Sequence, residues 1–143
     1  MPAVTHWLTW ALLSAILAGA TAVLAKVGVA HVSSHLATAL RTTVILVFCW
    51  LIAAFTTRPG ELAALDRRTW LFLTLSGLAG GLSWLCYFRA LQLGQVSQVA
   101  PIDKLSVVVA LALSFAFLGE TLTLREGCGA GLIVLGAVLL AWK

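Results

Sequence analysis

The sequence predicts an all-α membrane protein, a polytopic bundle of five transmembrane helices, and three observations carry that prediction. Of 143 residues, 62% are apolar and only 10% charged, and the mean hydropathy is +1.06. A soluble domain of this size needs about a quarter of its residues charged to cover its surface, so most of the solvent around the fold must be lipid. The apolar residues fall in long runs, not in the short alternating patches of a core strand. Trp7, Trp10, Trp70 and Trp142 lie near the ends of those runs, where indole rings favour the headgroup layer.

A helix needs about 20 apolar residues to cross a bilayer core of roughly 30 Å. Five stretches qualify, residues 7–30, 36–56, 69–91, 96–117 and 124–142. The first is too long for a signal peptide and lacks a basic n-region, so it is expected to stay in the mature protein. Ser33 or Ser34 is placed to cap the second helix, and Arg58, Pro59 and Gly60 to end it. Asp66 is placed to cap the third, and Thr123 with Glu126 has capping-box spacing before the fifth. No connection is long enough to hold a second domain, so residues 1–143 are expected to form one bundle. Small residues recur every four positions at Ser14, Ala18 and Ala22, with Lys26 continuing the stripe. They recur again at Gly77 and Gly81, at Gly127 and Gly131, and at Ser106, Ala110 and Ser114. Such stripes let helices approach closely in lipid.

The net charge of +4 is spread singly or in pairs, with no block to track a phosphate backbone, so nucleic acid is not an expected partner. Cys49, Cys86 and Cys128 are odd in number and form no CxxC pair. His6, His31 and His35 do not cluster and read as interfacial, so no disulfide, metal or cofactor is expected. No nucleophile elbow, zinc-protease pair or phosphate-cradling loop appears, so the chain is not expected to be an enzyme. With the N-terminus inside, Arg58, Arg67, Arg68 and Arg125 face the cytoplasm, against Lys26, Arg41, Arg89 and Lys143 on the other side. The densest cluster lies between helices two and three, which favours a cytoplasmic N-terminus. The even tally is also compatible with insertion in both orientations.

Asp103 and Lys104 are the most informative residues. They lie roughly 10 Å along a helix starting near Val96, where an uncompensated charge costs at least a few kcal/mol. Adjacent helical positions diverge by about 100°, so each is expected to need its own partner on another helix or in a water-filled cavity. Asp103 shares the small-residue face with Ser106. Pro101 lacks an N–H and disrupts the preceding turn, which bends the helix beside these two side chains. The rival reading is a structural ion pair, with Arg89 or Lys26 as partner. Lys26 near the end of helix one, Arg41 in helix two and Arg89 near the end of helix three have stems long enough to snorkel to the interface. Trp84, Tyr87 and Phe88 either line a cavity or pack as aromatics, since Trp84 and Phe88 share a helical face. Glu120 lies in a short loop, where it caps or is solvated.

The stretch from Tyr87 to Val108, YFRALQLGQVSQVAPIDKLSVV, resembles the EamA family of the drug/metabolite transporter superfamily. Leu118 to Gly127 (LGETLTLREG) and Gly131 to Gly136 (GLIVLG) fit its ending, and the Trp10 to Lys26 helix and Ala39 to Arg41 are similar to its first half. Larger members carry two inverted copies of a five-helix unit, with substrate held near the midplane between them. The resemblance therefore implies that this single unit works with a second one of opposite orientation, as an antiparallel homodimer or as a heterodimer with a related five-helix protein. It implies small-metabolite substrates, a cell (inner or plasma) membrane location, and site positions at Lys26, Trp84, Tyr87, Asp103 and Lys104. One departure stands out. The small multidrug-resistance branch uses a glutamate in its first helix, whereas the only charge here is Lys26, which favours an anionic or zwitterionic substrate over a cation. The expected function is secondary transport by alternating access. The alternative is a non-transporting subunit whose small-residue faces bind and stabilise another membrane protein.

Overall fold

The structure is a computed structural model that describes residues 3–58, 60–121 and 123–142, with side chains from Trp7 onwards. Pro59, Lys143 and the side chain of His6 lie outside the described residues. The described chain is helical throughout its long elements: α1 (Ala3–Gly28), α2 (Ser34–Thr56), α3 (Arg67–Leu93), α4 (Val96–Asp103), α5 (Ser106–Leu113), a π-helical turn (Ser114–Leu118) and α6 (Leu124–Ala141). Five stretches are long and apolar enough to span a bilayer, the fourth being Val96–Leu118 as a whole.

The helix ends follow the capping chemistry. Ser33 takes extended backbone angles, and its hydroxyl accepts from the Leu36 N–H at 3.3 Å, which decides between the two serines. Asp66 Oδ1 accepts from the Thr69 N–H at 3.0 Å ahead of α3. Thr123 and Glu126 close a complete capping box, each side chain accepting from the other's backbone N–H. Gly119 ends the fourth span in a left-handed conformation at φ 68°, where a side chain would be strained, and its N–H bonds back to the Ser114 carbonyl.

The fourth span departs from the single bent helix the sequence suggests. α4 stops at Asp103 and α5 starts at Ser106. Between them the bonds tighten to i→i−3: Lys104 N–H to Pro101 O at 3.1 Å, Leu105 to Ile102 at 3.0 Å, Val107 to Lys104 at 3.0 Å and Val108 to Leu105 at 3.0 Å. The proline's missing donor loosens the turn before it, and the chain answers with a tighter turn after it. A π-helical turn then widens the same span at its far end, so one 23-residue span carries three helical geometries.

The chain divides into two compact units, Met1–Lys26 with Leu93–Lys143, and Val27–Gln92. In the first, α4 and α5 lie beside α6, and the Gln98 amide donates to the Ala141 carbonyl at 3.3 Å. Ala22 and Ala137 are buried, whereas Ser14 and Ala18 of the same α1 stripe, and Ser106 and Ala110 of the fourth span, are exposed on the single chain. In the second, Val29, Ser34, Thr38, Phe88 and Leu91 are buried, and the Gln92 amide donates to the carbonyls of Val29 (3.2 Å) and Val32 (2.7 Å), tying the end of α3 to the α1–α2 turn. Most large apolar side chains face outwards, Trp10 at 72% exposure and Phe55 at 88%, as lipid solvation requires. A Cβ added at Gly77, Gly81, Gly127 or Gly131 would meet nothing within 4 Å, so these glycine faces are open on the single chain.

Candidate substrate site at a broken span

Asp103 is the last residue of α4 and Lys104 the first of the turn that follows. Lys104 Nζ lies 3.3 Å from Asp103 Oδ2, so the two side chains pair with each other. This corrects the expectation of separate partners. The i→i−3 turn at the break, at about 120° per residue, does not itself bring neighbouring side chains onto one face. Here the α-helix ends at Asp103, Lys104 takes φ −70° and ψ −9°, and its long stem reaches back. The side chains remain 36% (Asp103) and 58% (Lys104) exposed, on the chain's own surface and not in a closed cavity. Pro101, half-buried, sits within α4 two residues before Asp103. Ser106 is exposed and opens α5.

Lys26 is half-buried in the last turn of α1, and its Nζ donates to the Gly94 carbonyl at 2.8 Å. A cation there also complements the C-terminal end of the α1 dipole. Arg89 is exposed and its Nη1 donates to Gln92 Oε1 at 3.2 Å. Glu120 is exposed in the α5–α6 connection, where with Ser114, Thr121 and Glu126 it lines an open hollow of about 580 Å³. His31 and His35 are exposed near the α1–α2 turn.

A second charged arrangement lies within the Val27–Gln92 unit. The Arg41 guanidinium carbon stands 3.4 Å over the Trp84 ring centroid and 6.0 Å from that of Phe88. Trp84 meets Tyr87 and Phe88 edge to face, each at 5.4 Å between centroids. Phe88 is buried, while Trp84, Tyr87 and Arg41 are half-buried. A desolvated cation–π pair is worth about 2 kcal/mol, while an arginine at the centre of a span costs about 2.5–3.5 kcal/mol. The rings thus offset much of that cost and hold the cation in place. The structure lays the Arg41 guanidinium on an aromatic face.

Sequence reading missed Gln92 and Gln98, whose amides bind carbonyls at chain turns and ends. Their signal was available: uncharged amides near the ends of apolar spans, where backbone carbonyls lack helical partners.

Five membrane-length apolar helices define a multi-pass membrane protein. The EamA-like transporter family model matches residues 5–142, and the chain belongs to that family. A protein of a Sinorhizobium species, named as an uncharacterized transporter in the cobO 3′ region, is 53% identical over 135 residues, covering 94% of this chain and 96% of that one. An uncharacterized protein of Methanocaldococcus jannaschii is 33% identical over 76 residues, 53% of this chain and 56% of that one. No solved structure matches the chain.

Proposed function

We propose that this chain is one half of a secondary transporter for small zwitterionic or anionic metabolites, amino-acid-like in charge pattern. It works by alternating access as two five-helix units of opposite orientation in the cell membrane. The observation that carries the reading is the Asp103–Lys104 pair at a discontinuity of the fourth span, exposed on the surface of the single chain. Broken helices at membrane depth occur where they are buried in protein or line a polar cavity, and transporters of inverted-repeat design bind solutes at such breaks, between repeats. A second unit, a copy of this chain or a related five-helix protein, covers the pair and closes the cavity.

The pair suits its task electrically. Unloaded, it neutralises itself, so the site can turn through the bilayer without a net charge. A zwitterion offers a carboxylate to Lys104 and an ammonium to Asp103, replacing one ion pair by two. Lys26 remains a cation bonded to backbone at the end of α1, which disfavours cationic solutes.

Flux of a labelled amino acid mixture into proteoliposomes tests this. Asp103→Asn and Lys104→Met should each reduce flux at least tenfold at normal expression, and wild-type flux in both removes the site. Orientation is read by labelling Cys introduced at Glu61 or Thr121 in a protein whose three native cysteines are replaced. These exposed positions avoid the positive-φ glycines beside them. Label reaching each site from both faces supports dual insertion; label from the cytoplasmic face alone supports a heterodimer with a fixed, cytoplasmic N-terminus.

A further inference from the structure

We propose that Arg41, held flat on the Trp84 ring, receives an oxyanion that presents two oxygens to its fork, a carboxylate or a phosphate, within the α2–α3 unit. The site's use in transport rests on the reading above, but the binding itself does not.

Four observations lead there. Arg41 lies seven residues after the start of α2, roughly 10 Å along the span at about 1.5 Å per residue, and a guanidinium stays charged at any working pH. Neither α2 nor α3 contains an aspartate or glutamate. The acids of this unit, Glu61 and Asp66, belong to the connection beyond Thr56, fifteen residues or roughly 22 Å of helix from Arg41. Among the described residues no hydrogen bond or ion pair engages the Arg41 N–H groups; its recorded partners are the Trp84 and Phe88 rings.

The stack also sets the direction of those donors. With Cζ 3.4 Å from the ring centroid, an edge-on guanidinium, whose nitrogens stand about 1.3 Å from its carbon, would drive nitrogen into the ring. The plane must therefore lie over the indole face, which leaves the edges of the fork free. Two parallel N–H groups on such an edge match the two oxygens of a carboxylate or phosphate. The edge-to-face contacts of Tyr87 and Phe88 fix the Trp84 ring, so the fork is oriented before a ligand arrives. This is a preorganised cation with no counter-ion among the described residues of its unit, on a half-buried surface.

A free solute and a lipid headgroup carry the same chemistry, and two arms separate them. In phosphatidylcholine nanodiscs the purified protein is titrated with sodium succinate at constant ionic strength, with succinamide as the uncharged control. In phosphatidylglycerol nanodiscs native mass spectrometry counts the lipid retained. Arg41→Lys keeps the charge and loses the fork, so it tests the geometry in a protein that folds; Arg41→Gln removes both. Succinate binding weakened at least tenfold by Arg41→Lys assigns the site to a soluble anion. Loss of retained phosphatidylglycerol in the same variant assigns it to a headgroup. Absence of both, or binding unchanged within twofold in Arg41→Lys, overturns the proposal. Flux that survives in the Asp103 and Lys104 variants sinks the transport site and leaves these binding results standing, whereas Arg41-independent binding sinks this site alone.

Discussion

The Asp103–Lys104 pair lends itself to a double-mutant cycle built from Asp103→Asn, Lys104→Met and the double variant. At the observed 3.3 Å separation, Coulomb's law gives about 5 kcal/mol at an effective dielectric constant of about 20 and about 1.3 kcal/mol in water. Both side chains keep a third or more of their surface exposed, which pulls the value towards the lower figure, since ion pairs in water return about 0.2–1 kcal/mol. The surroundings are lipid or a second unit, and polar pairs within helical membrane proteins reach about 1.7 kcal/mol at most. The expected coupling is therefore about 1–1.5 kcal/mol. Each single variant should lose more stability than the double one, because a lone charge at the centre of a span costs about 2.5–3.5 kcal/mol. Unfolding midpoints in mixed detergent–dodecyl sulfate micelles, at equal protein concentration, read the cycle. Single effects that sum to the double effect within about 0.3–0.5 kcal/mol mark independent residues. That result would refute the pairing.

Other outcomes follow from the helix ends and the packing. Thr123→Ala opens the capping box and should cost about 1 kcal/mol, measured by the same unfolding midpoint, while Leu124→Ala beside it should cost far less. The Thr69 hydroxyl and N–H hold the Asp66 carboxyl below the usual carboxylate range. A lowered folded-state pKa contributes stability that is complete above the unfolded value of about 4 and fades as pH falls through the folded value. Melting temperature should accordingly drop less between pH 5 and 2 in Asp66→Asn than in the natural protein. Leu91 is fully buried, yet in lipid it loses packing more than transfer energy, so Leu91→Ala should cost about 2 kcal/mol, the low end of the usual range. Phe117→Ala, at a side chain 78% exposed, should stay within about 0.5 kcal/mol.

The five spans were legible because lipid imposes a length and a composition that no soluble fold shares, and the Thr123–Glu126 and Asp66 caps because their bonds form within one turn of local sequence. The same reading started α1 four residues late, since Ala3 to His6 continues the helix without adding to the apolar run. Pro101 announced a disturbance in the fourth span, but a proline's local effect concerns the turn before it. The tightened turn after it depends on how the ladder recovers, and the ion pair on how far the Lys104 stem reaches back. Arg41 on Trp84 was out of reach for a different reason. The two residues lie on separate helices 43 positions apart, and pattern alone assigns each a bland role. Gln92 illustrates the same limit, because its partners are carbonyls, which every residue carries and no sequence distinguishes.

The bond from Lys26 to the Gly94 carbonyl has a mechanical meaning. It clips the tail of the first span to the two-residue link just ahead of the fourth, so within that unit the base of the broken helix has an anchorage that is not covalent. A stroke that carries the fourth span away must stretch this clip to failure or drag the first span along. Trimming it with Lys26→Met would show which, because a coupled lever slows when uncoupled and a latch runs faster once released.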